Sequence, residues 1–245
     1  MSLFRADLHV HTAASPDGRS SLESLAAAAR DRGLDALAIT DHDLCTAVPR
    51  ECAGVLLIPG CEVSTRAGHI TGLFLDRPLE PLPHLPPPEE AVAAIRRAGG
   101  LAVLAHPCAR PGARPEEFAF DLDGLEAANA RAAFKVPAAN ARAAALAADR
   151  GLAAVGGSDA HDAAEVGNAF TELEAEERTL PALRQALAQG RCRAVLSRNT
   201  PHFRKGLSQW TKARRSHKLP RLAKAAAYLA YCAALDAVRP LRTRR

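Results

Sequence analysis

The sequence predicts an α/β protein whose strands run parallel and close into a barrel. Three observations carry that expectation. Short apolar runs alternate with helical patterns through the first 200 residues, the order that sets parallel strands inside a layer of helices. These runs number about seven and show no internal repeat, which favours closure over an open sheet. Histidines and carboxylates gather at the C-terminal ends of the runs, where parallel α/β folds assemble their chemistry at one mouth. The length, 245 residues, suits one such barrel.

Taken in order, residues 5–10 read as the first strand. Ser20 opens a helix, because Glu23 three residues on completes a capping box, and Gly33 closes it. Residues 34–40 (LDALAIT) are a second buried strand, followed by DHD. Residues 55–58 are a third, running into PGCEVST, and 69–75 (HITGLFL) a fourth. The proline-rich stretch 78–88 must be a loop. A helix over 89–98 ends at Gly99 and Gly100, and the strand 101–107 (LAVLAHP) stops at its proline. Residues 122–127 form another strand, and 137–150 an alanine-rich helix with Pro137 near its first position. A strand and loop over 152–161, a helix over 179–189 and a short strand over 193–196 complete the pattern.

Composition is that of a globular protein. No run approaches the roughly 20 apolar residues of a spanning helix, and the start of the chain lacks the charged and apolar regions of a signal peptide. The six cysteines form no CxxC pair, so reduced thiols and a cytoplasmic setting are expected, without a thiolate zinc site. The net charge of +5 hides a split. Residues 201–245 carry twelve Lys or Arg and one acid, whereas residues 1–200 carry 20 basic and 26 acidic residues. Two regions follow, 1–200 and a basic, partly helical tail over 201–245.

The stretch ADLHVHTAASPDG (residues 6–18) sets the chemistry. Residues two apart on a strand share a face, so His9 and His11 can grip one ion, with Asp17 following in a Ser-Pro-Asp-Gly turn. His42 in TDHD, Glu62, His106, Asp159 and His161 fall at later strand ends, and His69 at a strand start. Six of the nine histidines belong to these segments. Imidazole and carboxylate without thiolate suit manganese, iron or zinc and disfavour a closed structural zinc site. Nine candidate ligands exceed the need of one ion, so two or three ions are expected, with Glu62 as the natural bridge. Such ions clamp both oxygens of a phosphoryl displacement. Because GxSxG, GxGxxG and P-loop motifs are missing from the sequence, a metal-bound water is the expected nucleophile.

The ordered set DLHVHT, SPDG, ITDHD, GCEVST, GHITGL, AHP and GSDAH resembles the PHP (polymerase and histidinol phosphatase) domain family over about residues 4–200. That resemblance implies a distorted (β/α)7 barrel, a trinuclear metal site and phosphate-ester hydrolysis, with some members acting on nucleic-acid ends. It also implies the ligand sets. His9, His11, Glu62 and Asp159 correspond to the first metal, Glu62 with His69 and His106 to the second, and Asp17, His42 and His161 to the third. Asp17 stands where some members carry histidine. LEAANAR, GGSDAH and EVGNAFTEL resemble the subgroup with a PHP-associated C-terminal segment.

Other residues are read from chemistry alone. Arg110 and Arg131 are candidate phosphate clamps, since guanidinium binds phosphate bidentately. Asp41 or Asp43 could orient a ligand histidine, and Asn129 could line the mouth or cap a turn. Cys61 and Cys108 read as packing residues, and His84, His202 and His217 as solvated. The apolar stretch 225–235 is too short to span a bilayer. It reads as a helix docked on the body or on a partner chain, while the basic tail would suit an anionic membrane surface or nucleic acid. The expected function is therefore a phosphoesterase acting on a phosphorylated small molecule or nucleotide. The alternatives are a nuclease for single-stranded ends and, from another class, a non-catalytic metal-stabilised scaffold.

Overall fold

A computed structural model describes residues 1–118 and 120–242. In chain order the elements are β1 (Ser2–Val10), α1 (Leu22–Asp31), β2 (Ala36–Ile39), β3 (Glu51–Cys52), β4 (Val55–Thr65) and β5 (Gly68–Leu73). There follow α2 (Pro88–Arg97), β6 (Leu101–Ala105), β7 (Gly124–Asn129), α3 (Ala139–Arg150), β8 (Ala153–Gly157) and β9 (Ala169–Ala175). The last are α4 (Leu180–Ala188), β10 (Cys192–Leu196), α5 (His202–Arg215) and α6 (Leu219–Arg242). Among the described residues no helix is long and apolar enough to cross a membrane.

Nine strands form one path, β10-β9-β1-β2-β4-β5-β6-β7-β8, and β3 pairs only with β4. The sheet curls until β10 lies beside β8, giving a nearly closed barrel. At the seam Gly156 donates to the Thr171 hydroxyl at 2.8 Å. A Cβ at Gly156 would lie 2.3 Å from the Phe170 carbonyl, so the close approach needs glycine. Side chains of β1, β2, β4, β5, β6, β8 and β9 meet in one cluster, with Leu183 and Leu187 of α4 packed among them. Fully burying each such leucine contributes about 1.5–3 kcal/mol.

The all-parallel expectation gives way to a mixed sheet. β1–β2, β2–β4, β6–β7 and β7–β8 are parallel, but β4–β5–β6 and β1–β9–β10 are antiparallel. Only Arg66 and Ala67 separate β4 from β5, and a link that short can join only antiparallel neighbours. The strand expected to end at residue 58 continues through Pro59 to Thr65. The strand β9 has no counterpart among the runs expected from the sequence. α1 is capped by Ser21, whose hydroxyl accepts from the Ser24 amide; Ser20 instead accepts from the Ala163 amide at 2.9 Å and so ties the helix start to the loop beyond His161.

The tail is a helical hairpin docked on the barrel. Gly206 of α5 sits against Leu229 and Cys232 of α6. Asp236 of α6 accepts from the His202 and Phe203 amides at 3.0 and 2.8 Å, capping a helix whose preceding residue, Pro201, has no capping side chain. His202, expected to be solvated, bonds Asp236 through Nδ1 at 2.6 Å. Three contacts fix the hairpin over the barrel mouth. Arg131 donates to Ser208 at 2.9 Å, Arg204 to Asp162 at 3.1 Å, and Arg215 to the Ser15 carbonyl.

Candidate metal centre

All nine sequence-predicted ligands converge at one end of the barrel, with Glu62 of β4 at the hub. Its Oε1 lies 2.8 Å from His69 Nδ1, 3.0 Å from His106 Nε2 and 3.4 Å from His9 Nε2. Its Oε2 lies 2.8 Å from His42 Nδ1 and 3.4 Å from His11 Nε2. The two oxygens thus face two different sets of histidines, as a bridging carboxylate requires. Asp159 Oδ1 is 3.5 Å from both His11 Nε2 and His161 Nδ1. Asp17 reaches His161 at 3.5 Å and His42 at 3.7 Å.

The chain positions these groups by strand ends and constrained turns. β1 delivers His9, and His11 follows just past its end, with its amide bonded to the Ala160 carbonyl at 2.8 Å. β4 carries Glu62 and β5 carries His69, paired antiparallel so that Glu62 faces Thr71 and Ser64 faces His69. His106 and Asp159 adopt positive φ, 29° and 54°, a conformation that non-glycine residues hold only when their surroundings enforce it.

Donor chemistry tests whether ions fit. Three buried polar atoms in the cluster have no hydrogen-bond partner: His9 Nε2, His11 Nε2 and Asp17 Oδ1. Leaving one such group unsatisfied costs about 1–3 kcal/mol, so three together at one point are better explained by cations than by a polar core. Overlapping sets of three ligand atoms, each within 4.8 Å of one another, occur at His9–His11–Asp159, His9–Glu62–His106, His42–Glu62–His69 and His11–His42–His161. The residues present therefore fit several ions.

Electrostatics agree with that reading. Burial raises the Glu62 carboxyl, but His9, His69 and His42 outweigh it and hold it well below the usual range. Asp159 behaves alike, with His9, His11 and His161 prevailing over burial. Burial, then the charges of His161 and His42, lower His11 to about 3. Burial pushes His42 down, but Glu62 outweighs it and raises the imidazole to about 9.

Of the residues behind the ligands, Glu126 and Ser15 are not singled out by the sequence, whereas Asn129, Asp41 and Asp43 are. Glu126 of β7 is buried. It lies 3.2 Å from His9 Nδ1 and accepts from the His106 amide at 2.7 Å, so it orients two ligands. A lone carboxylate in the apolar run GLEAAN was the available signal. Ser15 Oγ sits 3.3 Å from His11 Nδ1 and accepts from the His42 amide at 2.9 Å. Asn129 bonds Glu126 at 3.0 Å and Asp159 at 3.4 Å. Asp7 accepts from the Ser158 and Gly167 amides, both at 2.8 Å, and burial pushes its carboxyl up to about 6. Asp41 holds no histidine; it accepts from the Thr12 amide and hydroxyl at 2.7 and 2.8 Å. Asp43 accepts from the Ser64 amide at 2.7 Å.

The centre opens into a cavity of about 440 Å³ lined by, among others, Asp17, His42, Glu62, Arg110 and Arg131. Arg110 is exposed at its rim. Arg131 directs Nε and Nη2 to Glu165 at 2.6–2.9 Å and Nη1 to Ser208, so its fork is occupied by the protein itself. Lys205, Gln209 and Lys212 of α5 also line this cavity. The sequence offered no sign that the tail would reach it.

Known proteins bear on the same residues. The sequence matches the PHP domain over residues 7–104 and the PHP-associated family over residues 137–192. An uncharacterized protein of Methanocaldococcus jannaschii is 35% identical over 145 residues, which cover 51% of this chain and 82% of the relative. A 5′-3′ exoribonuclease of Salmonella typhimurium is 42% identical over 81 residues, 29% of this chain but only 27% of the relative. A solved two-domain protein of Bacteroides vulgatus, described as containing a predicted PHP-like metal-dependent phosphoesterase, superposes with a TM-score of 0.60 at 24% identity. That match covers 80% of this chain and 65% of the solved one, so the likeness is one of fold.

Proposed function

The chain belongs to the PHP domain family, and on that premise we propose that it is a metal-dependent phosphoesterase hydrolysing a phosphomonoester or small nucleotide. The observation that carries this reading is the set of buried, unpartnered polar atoms on His9, His11 and Asp17 around Glu62. His9, His11 and Asp159 would hold one ion, His69 and His106 a second, and Asp17, His42 and His161 a third, with Glu62 shared between the first two. Manganese, iron and zinc all suit these donors. Bound there, such ions would supply stabilisation of charge on the ester and would lower the pKa of water toward neutrality.

The remaining work falls to the protein's own groups. Glu126 and Ser15 fix the rings of His9 and His11 so that each Nε2 faces inward. Arg110 at the rim is placed to bind the non-bridging oxygens of the ester. Arg131, taken up by Glu165 and Ser208, positions the wall of the cavity instead of gripping substrate. Residues 1–200 form the catalytic unit in this reading and 201–245 an addition to it. Six free cysteines support a reducing, cytoplasmic setting.

A second reading, a nuclease for single-stranded ends, draws on two observations. One is the exoribonuclease relative, and the other is the lysines that α5 contributes to the cavity. The test of the main reading is direct. Protein supplied with Mn²⁺ hydrolyses an aryl phosphate ester, and the His9→Ala/His11→Ala double variant does not. Full metal-dependent turnover in that variant overturns the assignment.

A further inference from the structure

The hairpin carries a second cavity, about 650 Å³, between α5 and α6. Lys135, Lys205, Gln209 and Lys212 line both this groove and the metal cavity, so the two adjoin. Lys205, Gln209 and Lys212 are spaced i, i+4, i+7 along α5, which puts them on one face. Across the groove, Arg221, Lys224 and Tyr228 occupy i, i+3, i+7 of α6. Five cations thus line one concave track, and among the described residues none of them is in an ion pair. The one acid of the hairpin, Asp236, is used in capping α5. Lys212, Arg221 and Lys224 are exposed, and a groove lined by one sign of charge focuses a field that attracts anions.

We propose that this groove is a binding site for a single-stranded oligonucleotide, whose successive phosphates run from the metal cavity over Lys205 and Lys212 to Arg221 and Lys224. The proposal rests on the phosphoesterase reading for the terminal phosphate only. A groove of about 650 Å³ beside two packed helices suits a flexible single strand better than a rigid duplex. Tyr228 supplies an aromatic surface of the kind on which bases stack. A membrane is the poorer fit, because these cations line a concavity rather than a convex face that headgroups could cover.

The test uses the metal-loaded full chain and a phosphorothioate-linked single-stranded eight-mer, which keeps its charges and resists hydrolysis. Binding is followed by fluorescence anisotropy across a salt series. Arg221→Glu/Lys224→Glu should weaken binding at least tenfold. It should also flatten the slope of log K against log salt by about 1.4, roughly 0.7 for each strand phosphate that is no longer neutralised. Arg221→Gln/Lys224→Gln, a milder change on the exposed face of α6, should shift both in the same direction. Affinity and slope unchanged in both variants overturn the groove, as does hairpin-dependent binding to phosphatidylserine vesicles with none to the strand. Aryl phosphate turnover is measured in parallel. If it is absent while strand binding still depends on Arg221 and Lys224, the phosphoesterase reading fails and the groove stands; the reverse pattern removes the groove alone.

Discussion

The barrel mouth and the C-terminal hairpin both concentrate charge, and they do so in opposite ways. At the mouth, six histidines and three carboxylates are packed until ring centroids lie as little as 4.3 Å apart, and several of their polar atoms have no protein partner. Along the hairpin, lysines and arginines are spread over two helix faces around an open groove. The first arrangement is complete only with small, hard-bound cations. The second asks for an extended anion. In the proposed reading they divide a phosphoesterase's work into chemistry and grip, and Arg131, bonded to Glu165 beside the mouth and Ser208 on the hairpin, joins the two.

The largest expected effect breaks the mouth while leaving the hairpin alone. Glu62→Gln keeps the size but removes the charge between the ions. It should lose at least one ion per chain and lower turnover roughly 100-fold or more, since even residues behind the ligands are worth 10–100-fold. Circular dichroism should be unchanged, because the strands and helices supply their own core. Strand binding to the hairpin should persist.

The joint itself comes next. Arg131 and Glu165 are both buried, and removing one partner of such a pair costs about 3–5 kcal/mol. Arg131→Met should lower the denaturant midpoint accordingly, and Arg131→Met/Glu165→Leu should recover most of the loss. A single variant of wild-type stability would show that the buried pair adds nothing to the joint.

A smaller effect is expected one layer behind the ligands. Glu126→Gln weakens the hold on the His9 ring and should reduce metal affinity about 10–100-fold in a chelator competition. Equal affinity would mean that His9 is oriented by packing alone.

The smallest effect concerns protons. Glu62 outweighs burial at His42 and raises the imidazole to about 9, so at pH 7 the ring carries a proton that an ion must displace. Metal affinity should therefore rise with pH and level off near 9, by no more than about tenfold per pH unit for this one group. Activity should fall on the acid side and be partly restored by added Mn²⁺. Affinity flat between pH 6.5 and 8.5 would contradict this.

The two regions also differ in how far the sequence discloses them. His9, His11 and Glu62 stand in short segments whose residue types and strand-end positions already imply their convergence. Glu126 carries no such mark, because its role depends on a histidine 117 positions earlier. The β4–β5 hairpin lacks the Asn-Gly or Asp-Gly turn that signals one, so two strands are legible there but not their antiparallel pairing. AFTELEA mixes apolar and acidic residues in a strand paired on both sides, so its alternation is hard to tell from loop. The hairpin's docking is set by Ser208, Arg204 and Arg215 against residues 42 to 200 positions away, a distance over which local pattern carries no information.

The most direct test of the central claim is the metal content of the full chain. Protein saturated with Mn²⁺, freed of excess ion and assayed by elemental analysis should contain two or three ions per chain, and its phosphate-ester hydrolysis should rise and fall with that content. One ion or none, with no hydrolysis across a panel of phosphate esters, would contradict the account and leave the cluster around Glu62 without its explanation.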